Sequence, residues 1–405
     1  MRIEDYRTTP FGEPRRTPGR YGYVAFFPRR LPRKLALRNE TILLLTDTEA
    51  VLGELSGLGH LVPNPHLLIR PYVLREALSS TRIEGTRATL MDVREVQASG
   101  EPANTDVEEV LNYIAALEWG LTALQRLPLS VRLICEIHSR LLAGVRGAQR
   151  TPGELRRTQN WIGAPGSTLE TAHYVPPPVE QLNELLGDWE RFLHEEDGLP
   201  ILVRNAMAHY QFETLHPFLD GNGRLGRLLI VFLLISRGRL SAPLLYVSSF
   251  LEQHRGDYYA SLQMIRERGD VDPWIELFLT AVKTSAVDAV IRAREIVALR
   301  ESFRAATTGV RSSNAAAAVD LIFEFPILSA AVVMNRLKIT RTTALSLLRD
   351  LSAANILEPF ERGRRGQLRY VSPRLLATIS ESPMAGHRAD SFQGVHPSAS
   401  APEEG

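Results

Sequence analysis

The amino-acid sequence predicts a mainly α-helical protein, with one short β-hairpin among the helices and a winged helix-turn-helix domain near the C-terminus. Three observations support this class. Apolar residues recur at helical spacing through most of residues 105–300. Two strand-like stretches around a Gly- and Pro-containing segment, within residues 160–178, interrupt that pattern and favour a hairpin. After residue 309, two helical segments flank a tight turn and a basic, strand-like stretch follows.

These patterns divide the chain into five parts. Five prolines make the first part irregular, and Gly85 is a usual stop signal for the second of two helices, near residues 35–57 and 64–84. The parts are an N-terminal arm (1–32), an N-terminal helical region (33–104), a helical core (105–300), the winged helix-turn-helix domain (310–375) and a tail (380–405) whose composition favours disorder. Helices of the core are expected near residues 106–126, 129–144, 178–195, 199–216, 223–237, 248–268 and 271–300.

Composition and charge argue against several classes of protein. The formal net charge is +1, so the chain as a whole is not attracted to nucleic acid or anionic lipid. The longest apolar run, LLIVFLLI at 228–235, is far shorter than the roughly 20 residues that span a bilayer, and we expect no membrane association. The N-terminus has no apolar core of a secretory signal. A lone cysteine, Cys135, cannot form an internal disulfide, and a cytoplasmic location fits it best.

Lysine is scarce in this chain, which bears on how a nucleotide would be bound. The three lysines are absent from any Walker A sequence, and no kinase signature is present. If the protein binds a nucleotide, arginines and backbone amides must hold the phosphates.

The stretch HPFLDGNGRLGR, residues 216–227, permits three interpretations. Its GNGRLG matches a dinucleotide-binding fingerprint, but the segment before it is helical, whereas that fingerprint follows a strand. His209, Glu213 and His216 share one helix face, as zinc ligands do, although a packed helix face is the favoured explanation. The zinc interpretation also leaves the glycines and arginines unexplained.

The third interpretation, a polyphosphate site, uses every residue of the stretch. Pro217 disfavours helical geometry at His216, so the histidine should lie where a helix ends. Gly221 and Gly223 allow the backbone N–H groups to converge on an anion at the start of the next helix.

The charged residues of the same stretch fit that interpretation. Arg224 and Arg227 are three residues apart and share one face of the helix's first turn. Asp220 would repel phosphate unless a divalent cation lies between them. The sequence therefore predicts a site for a polyphosphate with Mg²⁺, next to one base.

The same stretch matches the Fic-domain signature H-P-F-x-[DE]-G-N-G-R-x-x-R at every fixed position. SSTRIEGT (79–86), DVEEVLNYIAALEWG (106–120) and DYYASL (257–262) also resemble this family, and the likeness extends roughly over residues 25–300. The resemblance implies a Fic-type helical core and a protein adenylyltransferase, which moves AMP from ATP to a Ser, Thr or Tyr hydroxyl of a target protein.

The resemblance also implies a role for each residue of the signature, with ATP as co-substrate and Mg²⁺ or Mn²⁺ as the metal ion. The implied roles are general base for His216, magnesium ligand for Asp220, α-phosphate cradle for Gly221, Asn222 and Gly223, β-phosphate contact for Arg224 and γ-phosphate contact for Arg227.

The inserted hairpin resembles the family's flap, which aligns a target segment by strand-like pairing. Its candidate docking residues are Trp161, Ile162, Gly163, His173 and Tyr174. Tyr258 and Tyr259 are candidates for the adenine side of the site, and core packing explains them equally well.

The segment SSTRIEGT places Glu84 at a helix C-terminus, the unfavourable end for a carboxylate. Ser80 to Gly85 resembles the family's inhibitory motif, in which the glutamate pairs with the second signature arginine, here Arg227. This implies self-inhibition, and the reverse reaction, removal of AMP, stays open.

The alternative function is DNA binding through the winged helix. Lys338, Arg341, Thr342 and Thr343 lie near the start of its second helix, and Arg362, Arg364, Arg365 and Arg369 lie on its wing. A module that packs on the core or forms a homodimer fits the same residues. The sequence does not identify the target protein.

Overall fold

A computed structural model describes residues 1–18, 22–61, 66–90, 92–93, 96, 104–307, 314–325, 327–362 and 368–380. The described helices are α1 Asn39–Leu61, α2 His66–Ile83, α3 Thr105–Ala123, α4 Val131–Leu141, α5 Val179–His194, α6 Ile201–Leu215, α7 Asn222–Ser236, α8 Ser248–Gln253, α9 Arg255–Arg268, α10 Asp272–Ala306, α11 Ala315–Glu324, α12 Ala330–Leu337, α13 Arg341–Ala353 and α14 Pro373–Ser380. The strands are β1 Gly12–Arg16, β2 Val24–Pro28, β3 Ile327–Ser329, β4 Glu358–Arg362 and β5 Leu368–Val371.

Helices α6 and α7 form the centre of the helical core. Every residue of α6 is buried, and α7 is apolar over most of its length, so both can be surrounded on all sides. Helices α5 and α10 pack against α6, and two tryptophans fix these contacts. Trp189 donates to the carbonyl of Ala208 at 2.9 Å and Trp274 to that of Ala206 at 2.8 Å. The loop between α6 and α7 is therefore held by a rigid pair of helices.

Helix α2 packs against α3 and α8, and the buried carboxylate of Glu76 joins the three helices. It accepts from Tyr113 Oη at 2.9 Å and from the backbone N–H of Ser248 at 3.0 Å. The helix ends at Ile83 and is followed by Gly85 at φ 97°, where the sequence predicts a stop.

The prediction of an irregular N-terminal arm is wrong. Strands β1 and β2 form an antiparallel hairpin, because Ala25 and Phe26 bury their side chains while the prolines are tolerated at an edge strand and a strand end. The backbone N–H of Phe26 also donates to the carbonyl of Val175 at 2.9 Å, so the hairpin extends to the inserted segment of the core.

The inserted β-hairpin is smaller than predicted. A single bridge joins Ile162 and Tyr174, with backbone hydrogen bonds of 2.8 and 3.0 Å. The three prolines at 176–178 have no N–H to continue the ladder. The predicted helix 248–268 is also divided at His254, into α8 and α9.

The C-terminal region contains α11 to α14 and one antiparallel sheet in the order β3-β5-β4. Leu328, Leu347, Leu348 and Leu351 are among its buried residues. Arg364, Arg365 and residues 381–405 of the predicted disordered tail lie outside the described residues, and the interpretation as a winged helix stays a prediction. In the described part of the chain, no helix has both the length and the apolar character needed to cross a bilayer.

Candidate active site

The signature stretch forms the loop from α6 to α7 and the first six residues of α7, 222–227. His216 is the first residue after α6 and has left-handed backbone angles, φ 45° and ψ 60°. Gly221 precedes α7 at φ 75°, a conformation that favours glycine. The helix thus ends before Pro217, and the next begins with N–H groups that have no partner within the helix.

Two residues outside the stretch hold the backbone around His216. Arg156, which is 2% exposed, donates from Nε to the carbonyl of His216 at 3.0 Å. Asn160 Nδ2 donates to the carbonyls of His216 at 3.2 Å and Phe218 at 2.8 Å. Sequence reasoning missed both residues in this role, because no local pattern links them to a loop some 60 positions away.

The imidazole of His216 is held in its neutral form. Burial lowers its pKa most, the guanidinium groups of Arg156 and Arg266 lower it further, and the resulting value is about 4. Its Nδ1 is buried and has no hydrogen-bond partner among the described residues. A neutral imidazole is the form that accepts a proton, so His216 is available as a base at neutral pH, and the lowered pKa makes it a weaker base than an ordinary histidine.

The other end of the loop is held by His138, a third residue that sequence reasoning missed. Its Nδ1 accepts from the N–H of Gly153 at 2.8 Å, so the proton is on Nε2, which donates to the carbonyl of Asp220 at 2.9 Å. The ring stacks on Phe218 at 3.8 Å between centroids. Burial lowers the pKa of His138 to about 4, so it is neutral and acts through hydrogen bonds.

The carboxylate of Asp220 fits a magnesium ligand. It is 40% exposed, and its Oδ1 accepts from the N–H of Gly221 at 2.6 Å. Mg²⁺ in nucleotide sites is commonly held by one or two carboxylates together with substrate phosphates. The described residues contain no cluster of three metal-ligating side chains, so the phosphates would have to complete such a site.

Asn222, a predicted phosphate-binding residue, is the first residue of α7, but its side chain is engaged in the loop itself. Its Oδ1 accepts from the N–H of Phe218 at 2.9 Å, and its Nδ2 donates to the carbonyl of the same residue at 2.8 Å. Both ends of the side-chain amide are therefore bonded to the loop backbone, and only the backbone of Asn222 is available to a phosphate.

The first signature arginine, Arg224, is buried and pairs with Glu109 of α3. The distance from Nη1 to Oε2 of Glu109 is 3.2 Å, and Nη2 lies 3.5 Å from Oδ1 of Asp220. Its Nε has no hydrogen-bond partner among the described residues. Glu109 lies in a segment that resembles the Fic family, but its contact with Arg224 was not predicted.

The second signature arginine, Arg227, is 1% exposed and contacts the last turn of α2 and the turn that follows it. It donates from Nη2 to Oε1 of Glu84 at 2.8 Å, and from Nε and Nη2 to Oγ and the carbonyl of Ser80, each at 2.8 Å. Burial is the largest single effect and would raise the pKa of Glu84, but the charge and hydrogen bond of Arg227, together with the charges of nearby groups such as Arg224, lower it below its ordinary value. Glu84 is therefore an ionised partner of Arg227, with 35% of its side chain exposed.

Gly223 lies directly beneath this ion pair. A Cβ at Gly223 would lie 2.3 Å from Oε1 of Glu84 and 3.0 Å from Nη1 of Arg227. The carboxylate of Glu84 thus rests on the backbone at the start of α7, where an anion is expected to bind.

The structure argues against the zinc interpretation of the helix face. His209 uses both ring nitrogens, Nδ1 with the carbonyl of Gly226 at 3.0 Å and Nε2 with Tyr258 Oη at 2.8 Å. Glu213 is buried beside Gly226, and burial raises its pKa to about 7. Both residues belong to the packed interior, as the favoured interpretation had it.

The two adenine-side candidates differ. Tyr258 is 1% exposed and bonded to His209, so it belongs to the core and offers no surface to a base. Tyr259 is 43% exposed, and the guanidinium of Arg255 lies 5.6 Å from its ring centroid. Tyr259 therefore remains the candidate of the pair.

The flap candidates separate into exposed and buried residues. Trp161 is 42% exposed and donates from Nε1 to the carbonyl of Ser167 at 2.9 Å, and Gly163 and His173 are also exposed. Tyr174 is fully buried and donates to the carbonyl of Thr214 at 2.8 Å, so its side chain cannot dock a target. Ile162 is partly buried and acts through its bridge with Tyr174.

Two regions of the chain match known families. Residues 42–122 match the family described as Fic/DOC family N-terminal, and residues 128–234 match the Fic/DOC family. The chain is 32% identical over 203 residues to a Drosophila grimshawi protein named Protein adenylyltransferase Fic, and 30% identical over 203 residues to the protein of that name in Drosophila melanogaster. Each alignment covers 48% of this chain and 38% of the relative's length.

Solved structures show the same fold. A crystal structure of a Fic family protein from Desulfovibrio desulfuricans G20 aligns with a TM-score of 0.58 at 23% identity, covering 84% of this chain and 98% of that one. A Fic domain containing signaling protein from Bacteroides thetaiotaomicron aligns with a TM-score of 0.50 at 20% identity, covering 62% of this chain and 97% of the other.

Proposed function

We propose that this chain, which belongs to the Fic/DOC family through residues 42–122 and 128–234, transfers AMP from ATP to a hydroxyl group of a target protein and releases pyrophosphate. The observation that carries this proposal is the arrangement around the loop from α6 to α7. A neutral imidazole, His216, and two buried arginines are placed on either side of a helix N-terminus suited to an anion.

In the proposed reaction, the target's hydroxyl oxygen attacks the α-phosphorus of ATP as the bond to pyrophosphate breaks. His216 accepts the hydroxyl proton, and the backbone N–H groups of Gly221 to Gly223 hold the α-phosphate oxygens. Arg224 and Arg227 hold the β- and γ-phosphates. Asp220 would hold Mg²⁺ or Mn²⁺, which reduces the repulsion between the phosphates and the incoming oxygen.

The contact of Glu84 with Arg227 supports self-inhibition. Arg227 is the proposed γ-phosphate contact, and in this structure its Nη2 is bonded to the carboxylate of Glu84 at 2.8 Å. ATP must therefore displace Glu84 to bind with its triphosphate aligned. Removal of AMP, with Glu84 orienting a water molecule, is the reverse reaction that the same arrangement would serve.

The partner is a protein segment that docks beside the flap. Trp161, Gly163 and His173 are exposed there, as strand-like pairing with a target segment requires.

A specific test uses this chain with a cell lysate, Mg²⁺ and ATP labelled at either the α- or the γ-phosphate. Adenylyl transfer predicts protein-bound label from the α-position alone. Label from the γ-position would indicate phosphorylation and contradict the proposal, as would the absence of α-label with both the unaltered chain and a Glu84→Gly variant.

A second candidate function, DNA binding, is favoured by the surface of α13. Arg341, Thr342, Thr343 and Arg349 are exposed, whereas the opposite side packs inward through residues such as Leu347. Basic and hydroxyl side chains at the start of such a helix suit phosphate and base contacts. A duplex shift that weakens with salt, and is lost in an Arg341→Ala, Arg349→Ala variant, is expected; binding only by homodimerisation or core packing would give no shift.

A further inference from the structure

Glu109 of α3 is a buried carboxylate to which the proposed function assigns no role. It is 1% exposed and accepts three hydrogen bonds from different parts of the chain. Its Oε2 accepts from Arg224 Nη1 at 3.2 Å and from Thr86 Oγ at 3.0 Å, and its Oε1 accepts from Arg146 Nε at 2.9 Å.

We propose that Glu109 is a positioning residue, which fixes Arg224 for the β-phosphate and links that arginine to the inhibitory segment through Thr86. The inference rests on the proposed function, because it assumes that Arg224 contacts the β-phosphate. Glu109 itself touches no reacting atom.

The contacts of Arg224 show why it depends on Glu109. Its side chain is 4% exposed, its Nε has no described partner, and its contact with Asp220 is 3.5 Å long. The bond to Glu109 is thus the shorter of its two described contacts with a carboxylate. A buried guanidinium without this partner loses both its orientation and its nearest opposite charge.

The alternative partner for a released Arg224 is Asp220. Asp220 is 40% exposed and is the proposed magnesium ligand. If Glu109 were neutral, the guanidinium would be drawn toward Asp220 and away from the β-phosphate position. Loss of the Glu109 charge should therefore weaken nucleotide binding, despite the removal of one negative charge near the site.

Thr86 connects this arrangement with self-inhibition. It lies two residues after Glu84, and its backbone N–H donates to the carbonyl of Thr81 at 3.2 Å, which closes the turn at the end of α2. Thr86 and Arg224 donate to the same oxygen of Glu109. Movement of the inhibitory segment therefore changes the hold on Arg224.

The test compares ADP and AMP, since only ADP has a β-phosphate and neither has the γ-phosphate that competes with Glu84. Titration calorimetry of the full chain with Mg-ADP and with AMP would be carried out for the unaltered protein and for Glu109→Gln. Loss of one charge-assisted contact predicts about tenfold weaker ADP binding and unchanged AMP binding.

The outcomes separate the inference from the proposed function. If the unaltered chain binds neither nucleotide, the proposed function fails. If it binds both, and Glu109→Gln weakens both equally or neither, only the inference fails. A matched control is Arg146→Ala, which removes a 54% exposed partner of Glu109, keeps the bond to Arg224, and should change ADP affinity by less than about twofold.

If Glu109→Gln does not fold, two milder variants test the positioning role of Glu109. Glu109→Asp keeps the charge but shortens the side chain, and should weaken ADP alone by about threefold. Thr86→Val removes one hydrogen bond to Glu109. As a single substitution it should raise AMP transfer about threefold, whereas in a Glu84→Gly background it should cause no further rise. Equal ADP affinity in the first variant, or unchanged transfer in the second, would overturn the inference.

Discussion

The loop from α6 to α7 and the segment that follows α2 meet at Arg227, but they are held in different ways. The loop is fixed from several sides, by the buried Arg156 and His138 and by the partly buried Asn160. Helix α2 is fixed at Glu76 and Ser80, whereas Glu84, in the turn that follows the helix, has 35% of its side chain exposed.

This difference suggests which part of the site changes during a reaction cycle. A loop that must place a base and backbone N–H groups gains from being rigid before ATP arrives. A carboxylate that must leave when a phosphate arrives is better placed at an exposed helix end, where one ion pair decides its position. The following predictions test this contrast between a fixed loop and a releasable segment.

The largest effect is expected on the fixed side, from His216→Ala. Removal of a general base should lower AMP transfer by roughly 10² to 10⁴-fold, while nucleotide affinity stays nearly unchanged because His216 does not hold phosphate. Transfer of α-labelled AMP and calorimetry with Mg-ATP would measure the two quantities. Activity within a few-fold of the unaltered chain would remove His216 as the base.

On the releasable side, Glu84→Gly should raise AMP transfer. A charge-assisted pair of about 1.5–3 kcal/mol corresponds to a gain of roughly 10 to 100-fold. Arg227→Ala should show no gain, because ATP needs the same arginine, and the double variant should resemble Arg227→Ala. If Glu84→Gly leaves the rate unchanged with a good target present, the pair does not inhibit.

Acid should weaken the fixed loop through its histidines. The pKa of His138 is lowered to about 4 in the folded chain from an ordinary value of 6.5, so the unfolded chain binds the extra proton between these values. The stabilisation is complete above about pH 6.5 and is lost as the pH falls toward 4, by roughly 2 kcal/mol between pH 7 and pH 5 for this residue.

Urea unfolding at pH 7 and pH 5 would measure this loss. His138→Gln, whose amide can replace both hydrogen bonds, should lose less stability between the two pH values than the unaltered chain. The exposed His173→Gln should lose as much as the unaltered chain. An unchanged pH dependence in His138→Gln would contradict the assignment.

A smaller effect is expected for Asp220→Ala. Without this carboxylate the chain should need more Mg²⁺ for half-maximal transfer and should react on the order of tenfold more slowly. A titration of rate against Mg²⁺ concentration would show both changes. Full activity of the unaltered chain in EDTA would show that no divalent cation is required.

Neighbouring residues explain what the sequence predicted about the fold and the site. Pro217 ends a helix next to His216, and Gly85 ends another next to Glu84, because backbone preferences act within a few residues. The signature residues lie close together because all of them fall within residues 216–227. These features follow from local sequence, whatever packs around them.

The tertiary structure decided the contacts between distant segments. Glu109 meets Arg224 across 115 positions and Arg156 meets His216 across 60, and no local pattern encodes either distance. Packing likewise places Tyr174 and Tyr258 in the interior, although the sequence made them candidates for the flap surface and the adenine side. Such pairings depend on how the helices pack, since a buried charge or hydroxyl takes the partner that folding brings within reach.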